Sequence, residues 1–281
     1  MNKWIAGARP RTLPAAIVPV AVGTAAAYHA SGDVIAWRGL AALIVALGVQ
    51  VGTNYVNDYA DGIRGTDDVR VGPVRLVGQK LASPEAVKRA AILSFAVAAA
   101  FGLALCAAAG WQLVLVGAAA ILAGWFYTGG PRPYGYAGLG ELFVFVFFGL
   151  VATAGSTYVQ LERITWRGVV AGTAVGLWAT ALLVVNNLRD RVGDAQSGKK
   201  TLAVRMGDRA TRSLYGACVF IGVLIATAVT PVAFVAVAFV IVPFNVVRRG
   251  AVGRELIDVL KKTSTLQIVG GLALSLGLLV R

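Results

Sequence analysis

Two short stretches of this 281-residue chain concentrate carboxylates in a way that suggests chemistry. The first is Asn54-Tyr-Val-Asn-Asp58-Tyr-Ala-Asp61 and the second is Asn186-Asn-Leu-Arg-Asp190-Arg-Val-Gly-Asp194. Of only 13 acidic residues, Asp58, Asp61, Asp67, Asp68, Asp190 and Asp194 lie in or just beyond these stretches. On a helix, positions 54, 58 and 61 stack along one face, and so do 186, 190 and 194. Carboxylates gathered at a low-dielectric boundary repel one another unless a cation relieves them. A donor set of oxygens, with no His or Cys nearby, suits a hard divalent ion such as Mg²⁺. Mg²⁺ takes one or two carboxylates and completes its shell with water and substrate phosphate. Two acidic helix ends of this kind can therefore clamp a diphosphate through bridging metal ions.

Basic residues accompany both stretches. Arg64, Arg70 and Arg75 follow the first, and Arg189, Lys199 and Lys200 surround the second. They are placed to neutralise a departing diphosphate. The plainer alternative, solvated acids at helix C-termini, sets each carboxylate against the helix macrodipole and leaves its position without a reason. Other residues are less decisive. Glu141 either serves the start of a helix or joins a site, and Arg9 and Arg11 either mark topology or contact a ligand. The loop Tyr127-Thr-Gly-Gly-Pro-Arg132-Pro-Tyr134-Gly-Tyr136-Ala-Gly-Leu-Gly-Glu141 is rich in turn formers.

The elements that must position these groups are transmembrane helices. Hydrophobic residues make up 58% of the chain, charged residues 14%, and the mean hydropathy is +0.75. Such a composition excludes an ordinary soluble domain, and nucleic acid is a poor partner because no soluble reading module is present. Apolar runs near 12–30, 38–58, 87–108, 111–128, 138–158, 167–188, 213–230, 232–247 and 264–280 predict about nine spans in an all-α membrane protein. The seventh and eighth meet at a tight Thr230-Pro231 turn, and Pro14 and Pro19 interrupt the first. With the N-terminus inside, every one of the 26 basic residues except Arg38, Arg163, Arg167 and Arg281 falls on the cytoplasmic side. That is the asymmetry of a multi-pass protein of the cytoplasmic membrane, with both acidic stretches at the cytoplasmic ends of spans. Trp37, Trp111 and Trp166 mark the opposite interface, where Ser156, Tyr158 and Gln160 serve as possible anchors. The excess of basic residues also attracts anionic lipids. Cys106 and Cys218 lie in separate spans and imply neither disulfide nor metal, and a single histidine, His29, excludes bis-histidine sites. The repeat of Asn-x-x-x-Asp at the ends of the second and sixth spans suggests an internal four-helix duplication about a central cavity. Residues 1–281 read as one transmembrane domain.

At these residues the chain resembles the UbiA superfamily of intramembrane prenyltransferases. Asn54-x-x-x-Asp58-x-x-Asp61 is similar to that superfamily's first Asp-rich motif, and Asp190-x-x-x-Asp194 to its second. The nearer likeness is to the 1,4-dihydroxy-2-naphthoate polyprenyltransferase branch. It is carried by Arg9-Pro-Arg-Thr-Leu-Pro-Ala-Ala, the first motif, Arg132-Pro-Tyr-Gly-Tyr-Ala-Gly-Leu-Gly-Glu141, and Asn186-Asn-Leu-Arg-Asp190 with Gly198-Lys-Lys-Thr201. Beyond residue 213 only hydropathy agrees. The resemblance implies helices around a central cavity, with lateral access for a prenyl tail from the bilayer. It implies that Asp58, Asp61, Asp190 and Asp194, with Asn54, bind Mg²⁺ and diphosphate. Asn57, Asn187, Arg11, Tyr127 and Arg132 are further candidates for contact with diphosphate or acceptor, beside the basic residues above. Many superfamily members carry an acid where this chain has Gly65, and the naphthoate branch often lacks it too; whether Asp67 or Asp68 substitutes is open.

The implied reaction passes a polyprenyl group from its diphosphate to 1,4-dihydroxy-2-naphthoate. Carbon dioxide and pyrophosphate are lost and a demethylmenaquinol forms, as in menaquinone synthesis. Apolar walls would keep water from the developing allylic cation. Competing readings are a related transferase acting on hydroxybenzoate, homogentisate, haem or a phosphoribosyl donor, and a divalent-cation or organic-anion transporter. A transporter should place its acids at mid-span, whereas these lie at helix ends. The Asp-Gly-x-x-Ala-Arg signature of CDP-alcohol phosphatidyltransferases is missing.

Overall fold

A computed structural model describes residues 2–65 and 74–280, and these are helical with no strand. The helices are α1 (Lys3–Gly7), α2 (Pro14–Ser31), α3 (Ala36–Ile63), α4 (Pro84–Ala109), α5 (Leu113–Phe126), α6 (Gly140–Val144), α7 (Ala152–Leu161), α8 (Trp166–Gln196), α9 (Leu202–Val229), α10 (Val237–Arg248) and α11 (Arg254–Leu279). A π-helical stretch, Phe145–Val151, joins α6 to α7 as one apolar segment, and a 3₁₀ turn, Pro231–Ala236, leads into α10. Local chemistry sets several starts. Ser83 caps α4 by accepting from the Ala86 N–H, with Pro84 at the first helical position and Glu85 in the first turn. Thr165 caps α8 in the same way by accepting from the Gly168 N–H.

Each of the nine predicted apolar runs corresponds to a helical segment. Seven are long and apolar enough to cross a membrane, and the bent pair Lys3–Thr12 with Pro14–Ser31 makes an eighth. The remaining run is α5, whose 14 residues rise only about 21 Å against a hydrocarbon core of about 30 Å. The protein is therefore a multi-pass membrane protein with seven to eight spans and one shorter apolar helix among the described residues. Two expectations change. Pro19 lies inside an unbroken α2, and the 52° bend falls before Pro14, which sits at the first helical position where no N–H is needed. The helices carrying the acids also outrun their apolar segments. α3 continues to Ile63 and α8 to Gln196, so both acidic stretches are helical throughout.

The most deeply buried span is α8. Its Trp178 is fully enclosed in the main core and lies against Gly222 of α9 and Gly270 of α11, where a side chain would collide with the indole. On another face, Gly172 and Gly176 meet Gly149 of the π-helical stretch backbone to backbone. Small residues allow such crossings in membranes, where packing rather than water expulsion drives helix association. Each acidic helix packs most extensively on its successor, α3 on α4 and α8 on α9, in keeping with the expected duplication. A mostly apolar cavity of about 420 Å³ opens between α2, α3 and α11, lined by Ile17, Ala21, Thr24, Leu40 and Leu279 among others.

One end of the bundle is tied by Arg38, whose guanidinium donates to Val159 O and Ala108 O and pairs with Glu162. Gln160 exchanges hydrogen bonds with the backbone of Ile35, and Gln112 donates to the Tyr158 hydroxyl. Trp37, Trp111 and Trp166 are all exposed at this end. The acidic stretches occupy the opposite end. Cys106 and Cys218 are buried free thiols, and His29 meets Leu278 O.

Candidate active site

The segment that follows α8 reaches the C-terminal end of α3 beside the 127–139 loop. Asp61 is the point of convergence. Its Oδ1 accepts from the Tyr136 hydroxyl at 2.5 Å and from Lys199 Nζ at 3.1 Å. Lys199 follows the second acidic stretch, so this ion pair joins the two stretches directly. Both partners are buried, which removes the solvent screening that weakens surface pairs. Lys199 is placed by its own backbone, which donates to Asp194 O at 2.8 Å. The next residue, Lys200, donates its backbone N–H to Tyr136 O at 3.0 Å, tying the loop to the end of α8.

Asp58 does something different. It is wholly enclosed, and its two oxygens accept from the backbone N–H groups of Leu76 (2.7 Å) and Val77 (3.0 Å). A carboxylate receiving two backbone donors forms strong, charge-assisted bonds. Asp58 thus fastens the 74–80 turn to α3.

At the second stretch, Arg189 grips Asp190 through Nε (2.8 Å) and Nη2 (2.7 Å), and Nη2 also reaches Asn186 Oδ1 at 2.9 Å. Asp194 is buried, one turn further along α8. Asn187 leans the other way and donates to Glu141 Oε1 at 2.9 Å, burying that carboxylate against α8.

The amides of the first stretch serve as struts. Asn54 donates to Ala8 O and Thr12 Oγ1 and accepts from Gln50, so it pins the N-terminal segment. Asn57 Oδ1 accepts from Thr128 Oγ1 at 2.6 Å. Arg64 caps the loop by donating to Thr128 O and Gly130 O at 2.5 and 2.6 Å, and lies 5.4 Å from the Tyr136 ring centroid. Tyr127 meets Tyr134 edge-on, and Tyr134 stacks on Phe143 and donates to Ala123 O. Burial pushes the Tyr134 hydroxyl up from its ordinary pKa, which keeps it a donor. Arg75 is buried, whereas Arg11, Arg132 and Lys200 are exposed at this end. Arg70, Asp67 and Asp68 lie outside the described residues.

Among the described residues no three acidic, histidine or cysteine side chains converge on one point. The reason is electrostatic: buried carboxylates are costly without compensation, and basic side chains and backbone N–H groups already compensate them. The donor chemistry still fits a hard divalent cation, because Asp61, Asp190 and Asp194 offer only oxygen and Mg²⁺ asks the protein for one or two carboxylates. The fit is poorer for Asn54, whose amide is committed to the N-terminal segment, and for Asp58, which holds the turn. Tyr136 escaped the sequence reading. Its only signal was a second tyrosine in a Pro-Tyr-Gly-Tyr turn.

Residues 16–255 match the UbiA prenyltransferase family. The chain belongs to that family. A UbiA-family relative, the 1,4-dihydroxy-2-naphthoate octaprenyltransferase of Mycobacterium tuberculosis, is 50% identical over 97% of this chain and 95% of its own length. The Escherichia coli protein of the same name is 39% identical over 80% of this chain and 75% of its own. A solved UbiA homolog from Archaeoglobus fulgidus, bound to GPP and Mg²⁺, has a TM-score of 0.69 at 13% identity, covering 98% of this chain and 100% of that one. At that identity the likeness speaks for the UbiA fold. Family membership sets the transporter reading aside.

Proposed function

We propose that this protein transfers a polyprenyl group from polyprenyl diphosphate to 1,4-dihydroxy-2-naphthoate, releasing CO₂ and pyrophosphate and giving a demethylmenaquinol. The observation that carries this is the 50% identity, over nearly the whole of both chains, to a relative named for that reaction. Residues 1–281 act as one catalytic domain, and the basic end holding the site faces the cytoplasm of a cell whose cytoplasmic membrane contains the bundle.

Asp61, Asp190 and Asp194 are the residues to hold Mg²⁺, which when bound would help neutralise the donor's diphosphate. Lys199, seated on Asp61, and Arg189, seated on Asp190, are the cations to meet that anion, together with exposed Arg132 and Lys200. These charges favour departure of the diphosphate from C1 of the prenyl chain. The tail lies among the apolar helices of the bundle. The ring carbon bearing the acceptor's carboxylate forms the new bond to C1, and loss of CO₂ returns the electron pair to the ring. The apolar helix walls keep water from C1 while it carries charge.

Mass spectrometry of the product made by the purified protein from 1,4-dihydroxy-2-naphthoate, a prenyl diphosphate and Mg²⁺ tests the proposal. A prenylated, decarboxylated quinol supports it. Product only from hydroxybenzoate or homogentisate would move the chain to another branch of the family.

A further inference from the structure

Tyr136 touches charged groups from two distant segments, the end of α3 and the stretch after α8. Its hydroxyl donates to Asp61 Oδ1 at 2.5 Å, and Lys199 Nζ donates to the same oxygen at 3.1 Å. Lys199 Nζ also lies 4.6 Å from the Tyr136 ring centroid, and the Arg64 guanidinium lies 5.4 Å from it. Both fall within the range of a cation–π interaction. The main-chain oxygen of Tyr136 is fixed by the Lys200 N–H.

We propose that Tyr136 is a positioning residue that governs how Lys199 divides its charge between Asp61 and the diphosphate of the prenyl donor. This rests on the prenyl-diphosphate reading above. Lys199 is only 6% exposed, so it cannot release Asp61 into water at little cost. For the ammonium to turn toward an arriving diphosphate, two conditions must hold. Asp61 must keep its donors, or a buried carboxylate loses compensation; the Tyr136 hydroxyl is one of them. The ammonium must also keep favourable contact as it moves, and the aromatic face beside it supplies this. Without the hydroxyl, Asp61 depends more on Lys199 and holds it back.

Tyr136 as a mere loop anchor does not explain this arrangement, because the loop has other anchors. Tyr134 bonds Ala123 O and stacks on Phe143, and the Gly135 N–H bonds Tyr127 O. Tyr136→Phe should therefore fold normally.

The test is a double-mutant cycle on the full chain in detergent, read as the Kd of a non-transferable prenyl thiodiphosphate with Mg²⁺. Tyr136→Phe is expected to weaken binding about tenfold, the lower range for a hydrogen bond to a charged group. In a Lys199→Met background the same change should alter Kd less than twofold, because its target is gone. Tyr136→Leu, which removes the ring as well, should weaken binding further in the native background. The acceptor's KM should stay unchanged in Tyr136→Phe. Equal effects of Tyr136→Phe in both backgrounds, or a lowered melting temperature with unchanged Kd, would overturn the proposal. Failure of the unaltered protein to bind the thiodiphosphate would instead strike at the prenyl-diphosphate reading itself.

Discussion

Lys199 Nζ sits 3.1 Å from Asp61 Oδ1, so a lysine beyond the second acidic helix neutralises the last aspartate of the first. The pair spans 138 residues of sequence and links the end of the first acidic helix to the stretch that follows the second. Removing one partner leaves the other buried with less compensation. Asp61→Asn is expected to destabilise the protein by about 3 kcal/mol and to abolish most prenyl transfer. Lys199→Met added to Asp61→Asn should recover part of the melting temperature and none of the activity. Thermal melts of the two variants check this; an Asp61→Asn protein as stable as the parent would show the pair to be marginal.

Asp58 has a different duty and should show a different signature. In Asp58→Asn one oxygen becomes an NH₂ facing the Leu76 or Val77 N–H, donor against donor. A loss of about 2–3 kcal/mol is expected, with faster hydrogen exchange at Leu76 and Val77. Slow exchange retained at both amides would contradict the strut role.

Metal removal separates the proposed ligands from the struts. With EDTA, transfer should fall to background and return on adding Mg²⁺. Asp190→Asn should raise the Mg²⁺ concentration for half-maximal rate by 10-fold or more, in line with about 10–100-fold losses for altered metal-site residues. Asn54→Ala, which loosens the N-terminal segment, should leave that concentration unchanged while lowering stability. A Mg²⁺ requirement that moved with Asn54 and not with Asp190 would reverse the assignment.

Close helix crossing predicts a steric failure. A side chain at Gly176 meets the backbone at Phe145 and Gly149, which cannot swing aside. Gly176→Leu should cost at least about 1–3 kcal/mol, or prevent folding, whereas Gly155→Leu, where nothing lies nearby, should be tolerated. Comparing yields and melting temperatures of the two decides it.

Gln267 predicts the opposite sign. It is fully enclosed midway along α11, and both its amide atoms lack hydrogen-bond partners among the described residues. An unsatisfied buried amide costs about 1–3 kcal/mol, so Gln267→Leu should raise the melting temperature. A clear fall would mean that water or another group satisfies the amide.

The sequence by itself determined the membrane helices and the placing of acids at two helix ends. Those features follow from periodicity and apolar run length, which are local properties. Asn54, Asp58 and Asp61 fall on one face because a helix repeats every 3.6 residues, whatever it packs against. The family likeness was legible for the same reason, since its motifs are short and contiguous. Even the helix ends show the limit, because α3 and α8 run on past their apolar segments into turns that hydropathy cannot see. Only the tertiary structure decided what each acid does. Asp58 and Asp61 are three residues apart with the same chemistry, yet one holds a backbone turn and the other meets a lysine and a tyrosine from elsewhere. Tyr136 and Lys199 reach Asp61 from 75 and 138 residues away, and no local pattern ties those positions together. Their pairing comes from the packing of α8 against its neighbours, which brings distant side chains into a low-dielectric space where each buried charge must find a partner.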